Sequence, residues 1–353
     1  MDILRHPKNP LITPADVKPF HDDFEVIGAF NAGVAVYQGE TILLLRVAER
    51  PISRDENIVK VPVYDPEKSA LEIIDLRKDD PTYEFSDPRV IKKVDDRHDF
   101  VYLTSLSYVR IARSRDGEHF TIDVQAFIYP FNEYQTFGIE DPRCSEINGK
   151  FYITFSSVSP YGICDSLVVT EDFVSYQSLG NIFAPENKDV VLFPEKINGA
   201  YYALHRPSLK SVGEFDVWIA KSPDLEAWGH HTHLFGVRNN HWDEQRIGAS
   251  VPPIKTADGW LVIYHGANHQ SRYCMGAVLL DLEDPYKVLA RTDEPFMVPE
   301  VDYEQNGFFG EVVFGCGAYL ENDVITMYYG VSDTSIASCQ FSWQKLRELL
   351  KKE

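Results

Sequence analysis

Cysteine pairs, metal-ligand spacings, long apolar runs and helical periodicity are all scarce in this chain, and each scarcity removes a class of protein. The five cysteines, Cys144, Cys164, Cys274, Cys316 and Cys339, are an odd number, lie far apart and include no CxxC pair. They read as buried free thiols rather than a disulfide framework or a zinc site. The 11 histidines contain no His-x-x-x-His pair, so neither a built-in metal nor an organic cofactor is implied. Cations are outnumbered, with 34 Lys plus Arg against 54 Asp plus Glu and a net charge of −20. That balance repels phosphate backbones and anionic lipid head groups, which argues against nucleic-acid and membrane partners. The opening MDILRHPKNPLITPADVKP carries charges and prolines where a secretory leader needs an apolar stretch, and a cytoplasmic protein is expected. Helical spacing emerges only near the end, where Leu346, Leu349 and Leu350 sit among charges; it predicts one short terminal helix over 343–352.

What remains is β-rich. At 353 residues with 44% hydrophobic and 25% charged residues, the chain can bury a large core, and all-β architectures most often stretch one domain this far. A two-residue turn signal followed by a β-branched and aromatic run recurs: Gln38-Gly39 before ETILLLRV, Asn148-Gly149 before KFYITFSS, Asn198-Gly199 before AYYALHRP, Asp258-Gly259 before WLVIYHGA, and Asn322-Asp323 before VITMYYGV. Each suits a hairpin whose tight turn needs positive φ. Apolar strands running into Ser/Thr-x-Asp turns accompany them, in IARSRDGEHF, VVTEDFVSY and IAKSPDLEAW, with VLLDLEDPYKVL as a degenerate copy. The turn glycines at 149, 199 and 259 are 50 and 60 residues apart, whereas 39 to 149 is 110, as for one blade plus an insertion. The reading is all-β, a single five-bladed β-propeller with a short C-terminal helix. The charged, proline-marked segment 77–98 is expected as an inserted loop, over the active face or at an oligomer contact. Paired sandwiches or a sixth blade hidden in the insertion are the alternatives.

Propellers gather strand ends around a central funnel, so polar residues ending apolar runs are site candidates. Gly138-Ile139-Glu140-Asp141-Pro142-Arg143 places two adjacent carboxylates and an arginine before a strong hairpin, although Asp-Pro-Arg is also a common turn with a local ion pair. Lys188 in PENKDVVLFPEK and Arg206 in ALHRPS end apolar strands and want an anionic partner, either a ligand or a structural carboxylate such as Glu195. Arg246 in DEQRIGASVPP and His265 in WLVIYHGA complete a set of four cation-capable groups; His265 alone would read as a hydrogen-bonded core residue. Most aromatic residues should fill the space between blades, with Tyr108 and Tyr273 as candidates to stack on a ligand in the funnel.

These strings resemble glycoside hydrolase family 130, the β-mannoside phosphorylases and β-1,2-mannosidases. The likeness runs from AFNAG at Ala29 through LLLRVAER, IARSRDG, GIEDPR, NKDVVLFPEK, LHRPS, IGASVPPI and WLVIYHGA to YYGVSD at Tyr328. The resemblance implies a five-bladed propeller whose catalytic acid is Asp141. It implies phosphate binding by Lys188, Arg206, Arg246, His265 and Tyr273, and sugar binding by Asn31, Arg46, Glu140 and Asp333, with Tyr108 placed beside them. Inorganic phosphate is then a co-substrate, and no cofactor is needed.

Within the family, a phosphorylase must hold a phosphate dianion beside the anomeric carbon, which calls for fixed cations and no crowding carboxylate. An inverting hydrolase needs a second carboxylate roughly 6.5 to 9.5 Å from the acid to activate water. Cations stand at the matching positions, so the expectation is inverting phosphorolysis of a β-mannoside to α-D-mannose 1-phosphate, with Asp141 held protonated and His265 adding charge to the phosphate site. Lys188, standing where an arginine would grip in bidentate fashion, implies a looser phosphate site than in some relatives. The long segment between Asn31 and Asp141 favours β-1,2-mannobiose or a β-1,2-oligomannan as substrate. A β-1,2-mannosidase, an arabinan-type glycosidase and a non-catalytic sugar-binding propeller are the rival readings. The insertion and terminal helix offer surfaces for a homodimer.

Overall fold

The computed structural model describes residues 1–96, 98–208 and 211–352, so Arg97 of the expected insertion lies outside the described residues. Five antiparallel sheets form the body. Blade 1 comprises Phe24–Tyr37, Glu40–Pro51, Leu106–Ser114 and Thr121–Ile122; blade 2 comprises Ile139–Ile147, Lys150–Ser159, Gly162–Thr170 and Gln177–Phe183. Blade 3 comprises Asn187–Leu192, Tyr201–Pro207, Val217–Ser222 and Gly229–Phe235. Blade 4 is built on Arg246–Ala249, Trp260–Ala267, Tyr273–Leu280 and Val288–Thr292, and blade 5 on Val313–Glu321, Val324–Val331 and Ser335–Ser342. The first strands line the axis: Phe24–Tyr37 packs against Ile139–Ile147 and Val313–Glu321, and Asn187–Leu192 packs against Ile139–Ile147 and Arg246–Ala249.

The turn signals act through φ. Gln38 and Gly39 (φ 50° and 77°), Asn148 and Gly149 (53° and 76°), Asn198 and Gly199 (48° and 81°) and Asn322 and Asp323 (46° and 71°) all place both central residues in the left-handed region. That is the mirror-image turn whose twist matches a right-handed hairpin. The Asp258-Gly259 turn differs, because only Gly259 has positive φ (153°) and Thr256 N–H donates to its carbonyl. The Ser/Thr-x-Asp turns close on their aspartates. The Oδ1 atoms of Asp116, Asp172 and Asp224 each accept backbone N–H bonds from the residues two and three positions on, an arrangement that stands in for a backbone turn.

Each gap between neighbouring blades holds its own apolar cluster. Ile42, Leu44 and Ile153 sit between blades 1 and 2, Leu167 and Leu192 between blades 2 and 3, and Val191 and Val262 between blades 3 and 4. Ile263 and Met327 fill the gap between blades 4 and 5, and Leu43 and Ile336 that between blades 5 and 1. Burying one such side chain contributes about 1.5–3 kcal/mol, so the ring is held at every seam. The two ends of the chain close it. Leu4–Arg5 pairs with Ser335–Ser342 as the outer strand of blade 5, and Arg5 Nε donates to the fully buried Glu304 at 2.7 Å.

Two expectations change. The terminal helix is Trp343–Leu349, capped by Ser342 Oγ accepting from Lys345 N–H at 3.2 Å, and Leu350–Lys352 is a strand paired with Val288–Thr292. The free edge of blade 4 takes the backbone groups that another exposed helical turn would leave to water. The insertion is longer than 77–98 and is not a bare loop: Ile58–Asp65 and Ala70–Arg77 form a hairpin, and Tyr83–Glu84, Val90–Lys93 and Tyr102–Leu103 a small sheet. The hairpin buries Val61 and Tyr64, which gives it an anchoring face. Neither sheet has the four strands of a blade, so there is no sixth blade among the described residues.

Candidate active site

Blades 1, 2 and 3 share one irregularity in the strand next to the axis. The register jumps from Phe30↔Arg46 to Gly33↔Leu44, from Glu140↔Ser156 to Arg143↔Thr154, and from Lys188↔Arg206 to Val191↔Leu204. Two residues therefore oppose one, a bulge that bends the strand and re-aims a side chain. The first bulged residue is Asn31 (φ 47°), Asp141 (φ 50°) or Asp189 (φ 61°), and Asn and Asp tolerate this region better than other side chains. Neighbouring glycines make room: a Cβ on Gly330 would meet Asn31 Oδ1 at 1.9 Å, and one on Gly248 would meet Asp189 Oδ2 at 2.3 Å. The three equivalent positions thus turn an amide and two carboxylates inward, all nearly buried.

On one side these residues build a carboxylate cluster. Asp141 Oδ1 accepts from Asn31 Nδ2 at 2.9 Å and from Arg46 Nη1 at 2.7 Å. Arg46 Nη2 donates to Glu140 Oε1 at 3.0 Å, and Lys188 Nζ to Glu140 Oε2 at 2.9 Å. Arg46 is further fixed by Ser107 Oγ at 3.1 Å and lies over the Phe30 ring. Burial alone would raise the Asp141 carboxyl, but Arg46, then Arg143 and Lys188, outweigh it and hold the group below its ordinary value. The expectation that Asp141 is protonated in the resting site is therefore corrected: the surrounding cations favour the carboxylate. Glu140 is likewise held low, with Arg46 and Lys188 overcoming its burial. Burial pushes Asp333 up to about 6, with Arg46 opposing and Asp141 adding to the rise.

On the other side lies a cation cluster around Asp189. Arg143 Nη2 donates to Asp189 Oδ1 at 3.0 Å, Arg206 Nη1 lies 2.7 Å from Oδ2, and His265 Nε2 lies 3.4 Å from Oδ2. His265 Nδ1 meets Ser250 Oγ at 3.1 Å, and its ring packs on Phe314 and near Tyr273. The Nε atom of Arg206 is buried without a hydrogen-bond partner among the described residues, and so is that of Arg246, whose guanidinium lies over the Phe215 ring and makes no ion pair with Asp189. Buried donors left open in this way are groups that an anion can satisfy. Asp189 is held well below its ordinary value, because Arg206, His265 and Arg143 outweigh its burial.

Most of the sequence-predicted residues converge, and several readings need correction. Asn31, Arg46, Glu140, Asp141 and Lys188 form one bonded cluster, while Arg206 and His265 share Asp189 and Tyr273 stands beside His265. Asp333 joins the carboxylate side through its electrostatic contact with Arg46 and Asp141. Tyr108 does not face this space: it is fully buried between blades, donates its hydroxyl to Glu49 and accepts from Arg110 Nη2 at 3.0 Å. Its position on an alternating strand could not say which face turned inward. His265 adds no charge, since burial holds its imidazole below the ordinary value despite Asp189. Glu195 is not the counter-ion of Lys188 or Arg206; it pairs with Lys255 at 2.5 Å.

The cations are also not free of carboxylates, because Asp189 sits among them. Asp189 and the interblade reach of Arg143 were not singled out from the sequence. The available signal was the repeat itself: Asp189 follows Lys188 as Asp141 follows Glu140, in the same bulge. Among the described residues no group of His, Cys, Asp and Glu could hold a metal ion.

A family profile described as beta-1,4-mannooligosaccharide phosphorylase, of glycoside hydrolase family 130, matches residues 103–352. The chain is 58% identical over 350 residues, 99% of its own length and 98% of the relative's, to a beta-1,2-mannobiose phosphorylase of Listeria innocua serovar 6a. It is 40% identical over 240 residues, 67% of this chain and 77% of the relative, to a 1,2-beta-oligomannan phosphorylase of Thermoanaerobacter sp.. A solved structure of the Listeria innocua beta-1,2-mannobiose phosphorylase in complex with beta-1,2-mannobiose superimposes with a TM-score of 0.97 at 57% identity, covering 99% of each chain.

Proposed function

The chain belongs to glycoside hydrolase family 130, and from that premise we propose that it is a β-1,2-mannobiose phosphorylase, converting β-1,2-mannobiose and inorganic phosphate to α-D-mannose 1-phosphate and mannose. The observation that carries this reading is the pairing of the Asp141 cluster with a cation cluster around Asp189 whose Arg206 Nε donor is unspent. The near-full-length likeness to a relative of that activity supports the substrate.

In this mechanism a phosphate oxygen attacks C1 of the mannosyl unit from the α face. The C1–O bond to the second mannose breaks, and Asp141 gives the departing oxygen a proton, directly or through a sugar hydroxyl. Phosphate binding supplies the condition for that proton. The dianion offsets Lys188 and Arg143, two of the cations that hold Asp141 low, so the proton affinity of Asp141 rises once both substrates are in place. Arg206 and Arg246 offer guanidinium donors to phosphate oxygens, with Lys188, neutral His265 and Tyr273 as further contacts. Asn31, Arg46, Glu140 and Asp333 hold the mannosyl hydroxyls.

Hydrolysis would need a second carboxylate free to activate water. Glu140 is held by Arg46 and Lys188 through both oxygens, and Asp189 is ion-paired with Arg143 and Arg206 and lies 3.4 Å from His265; carboxylates tied to cations in this way are poor bases for water, which supports phosphate as the nucleophile. The same proposal sets the enzyme in the cytoplasm, where five buried thiols stay reduced.

The test is to incubate the protein with β-1,2-mannobiose with and without phosphate, assaying mannose 1-phosphate and free mannose separately. Mannose 1-phosphate should form only with phosphate and fall about 10²–10⁴-fold in Asp141→Asn, and Arg206→Ala should raise the KM for phosphate. Equal release of mannose without phosphate would make the protein a hydrolase; no turnover together with retained sugar binding would make it a sugar-binding propeller.

A further inference from the structure

Among the buried carboxylates outside that mechanism, one faces the cation cluster. Asp165, on Gly162–Thr170 of blade 2, is 1% exposed; its Oδ1 lies 3.4 Å from Ser156 Oγ, and its Oδ2 has no hydrogen-bond partner among the described residues. Charged groups face it from the neighbouring strands. Asp189 and Lys188 come from Asn187–Leu192, Arg143 from Ile139–Ile147 and Arg206 from Tyr201–Pro207. Ser156 flanks it on Lys150–Ser159, and Phe183, its partner on Gln177–Phe183, brings no charge.

The local charges decide what this carboxylate must do when an anion arrives. The charge of Lys188, whatever further contact it makes, is already balanced by Glu140. That leaves the guanidiniums of Arg143 and Arg206, with Arg246 added only through its proposed phosphate contact, to balance one carboxylate, Asp189, and one phosphate dianion, with His265 neutral. At most three positive charges meet three negative ones. An ionised Asp165 would add an uncompensated anion to a buried site, where it would repel both Asp189 and phosphate.

On the phosphorolysis reading, we propose that Asp165 is a positioning residue for phosphate: it takes a proton from solvent as the anion binds and stands as the neutral acid in the loaded site, leaving Arg143 and Arg206 to Asp189 and the phosphate. The step is a protonation only, carboxylate plus proton giving carboxylic acid, with the new O–H on the oxygen that has no partner. Burial, with Asp189 adding and Arg143, Lys188 and Arg206 opposing, already pushes this carboxyl up to about 7 in the free site, so a nearby dianion needs to raise it only modestly to keep it protonated.

The experiment is calorimetry with sulfate, a dianion that does not itself titrate near neutrality, in buffers of different ionisation enthalpy at pH 7.5. For a group at about 7, the wild-type enzyme should take up about three quarters of a proton per sulfate bound, and Asp165→Asn should lose that uptake. The KM for phosphate should climb with pH above 7 in the wild type, approaching tenfold per unit, and stay flatter in Asp165→Asn, with the effect in KM rather than kcat. Equal proton uptake in both proteins, or equally steep KM profiles, would overturn the proposal. If Asp165→Asn does not fold, the wild-type measurement decides alone: sulfate binding without proton uptake overturns this inference and leaves phosphorolysis standing. Failure of the wild type to bind sulfate or phosphate at all would overturn the phosphorolysis reading and this inference with it.

Discussion

Arg46, on the second strand of blade 1, donates from Nη1 to Asp141 Oδ1 at 2.7 Å while its Nη2 holds the adjacent Glu140 at 3.0 Å. One guanidinium fork from one blade thus spans two neighbouring carboxylates from the next, ties the seam between the blades and favours the charged form of Asp141. A single ammonium cannot span both positions in that geometry. Arg46→Lys should therefore free one carboxylate and lower kcat/KM for β-1,2-mannobiose about 10–100-fold, with a smaller change in the KM for phosphate. Steady-state kinetics varying each substrate in turn will check this; an unchanged kcat/KM would mean that the fork is purely structural.

Tyr108 supplies a contrasting expectation. Its hydroxyl serves the buried Glu49 carboxylate, which also accepts from Phe20 N–H at 2.6 Å and sits beside His21. Tyr108→Phe should leave both KM values within about twofold and cost about 1–3 kcal/mol of stability, read by urea unfolding. A large rise in KM for the sugar at unchanged stability would return Tyr108 to the substrate.

The Asp165 carboxyl gives stability a defined pH dependence. Its folded value of about 7 lies above the ordinary 3.8, so the folded protein binds this proton more tightly than the unfolded chain. The contribution is fully present below about pH 3.8 and is lost as pH rises through about 7. Asp165→Asn, neutral at every pH, should raise Tm more at pH 8 than at pH 5. Differential scanning calorimetry at the two values tests it, and an equal shift at both would show that Asp165 carries no such proton.

Ring closure depends on the Arg5–Glu304 pair. Glu304 is fully buried, and besides Arg5 it accepts from Tyr329 Oη at 2.8 Å and from Glu300 N–H at 2.9 Å. Removing one partner of a buried ion pair costs about 3–5 kcal/mol, and the two remaining donors, with Val301 N–H at 3.4 Å as a third, place Arg5→Ala at the low end, about 3 kcal/mol. Denaturant unfolding should show that loss; a cost under about 0.5 kcal/mol would mean that the amino-terminal strand is not what closes blade 5.

Much of this protein is decided locally. Paired left-handed residues at Gln38-Gly39, Asn148-Gly149, Asn198-Gly199 and Asn322-Asp323 dictate hairpins wherever the chain lies, and aspartates at 116, 172 and 224 close their own turns. The repeat of those signals announces the blades, and GIEDPR, NKDVVLFPEK and LHRPS point to Asp141, Lys188 and Arg206 without reference to any distant contact. Packing between blades decides the rest. Asp189 and Asp165 stand on different blades and acquire their meaning only because the seam brings them together among Arg143 and Arg206. The orientation of Tyr108, the neutrality of His265 and the charge on Asp141 also depend on neighbours remote in sequence, because burial and electrostatic fields sum over space rather than along the chain.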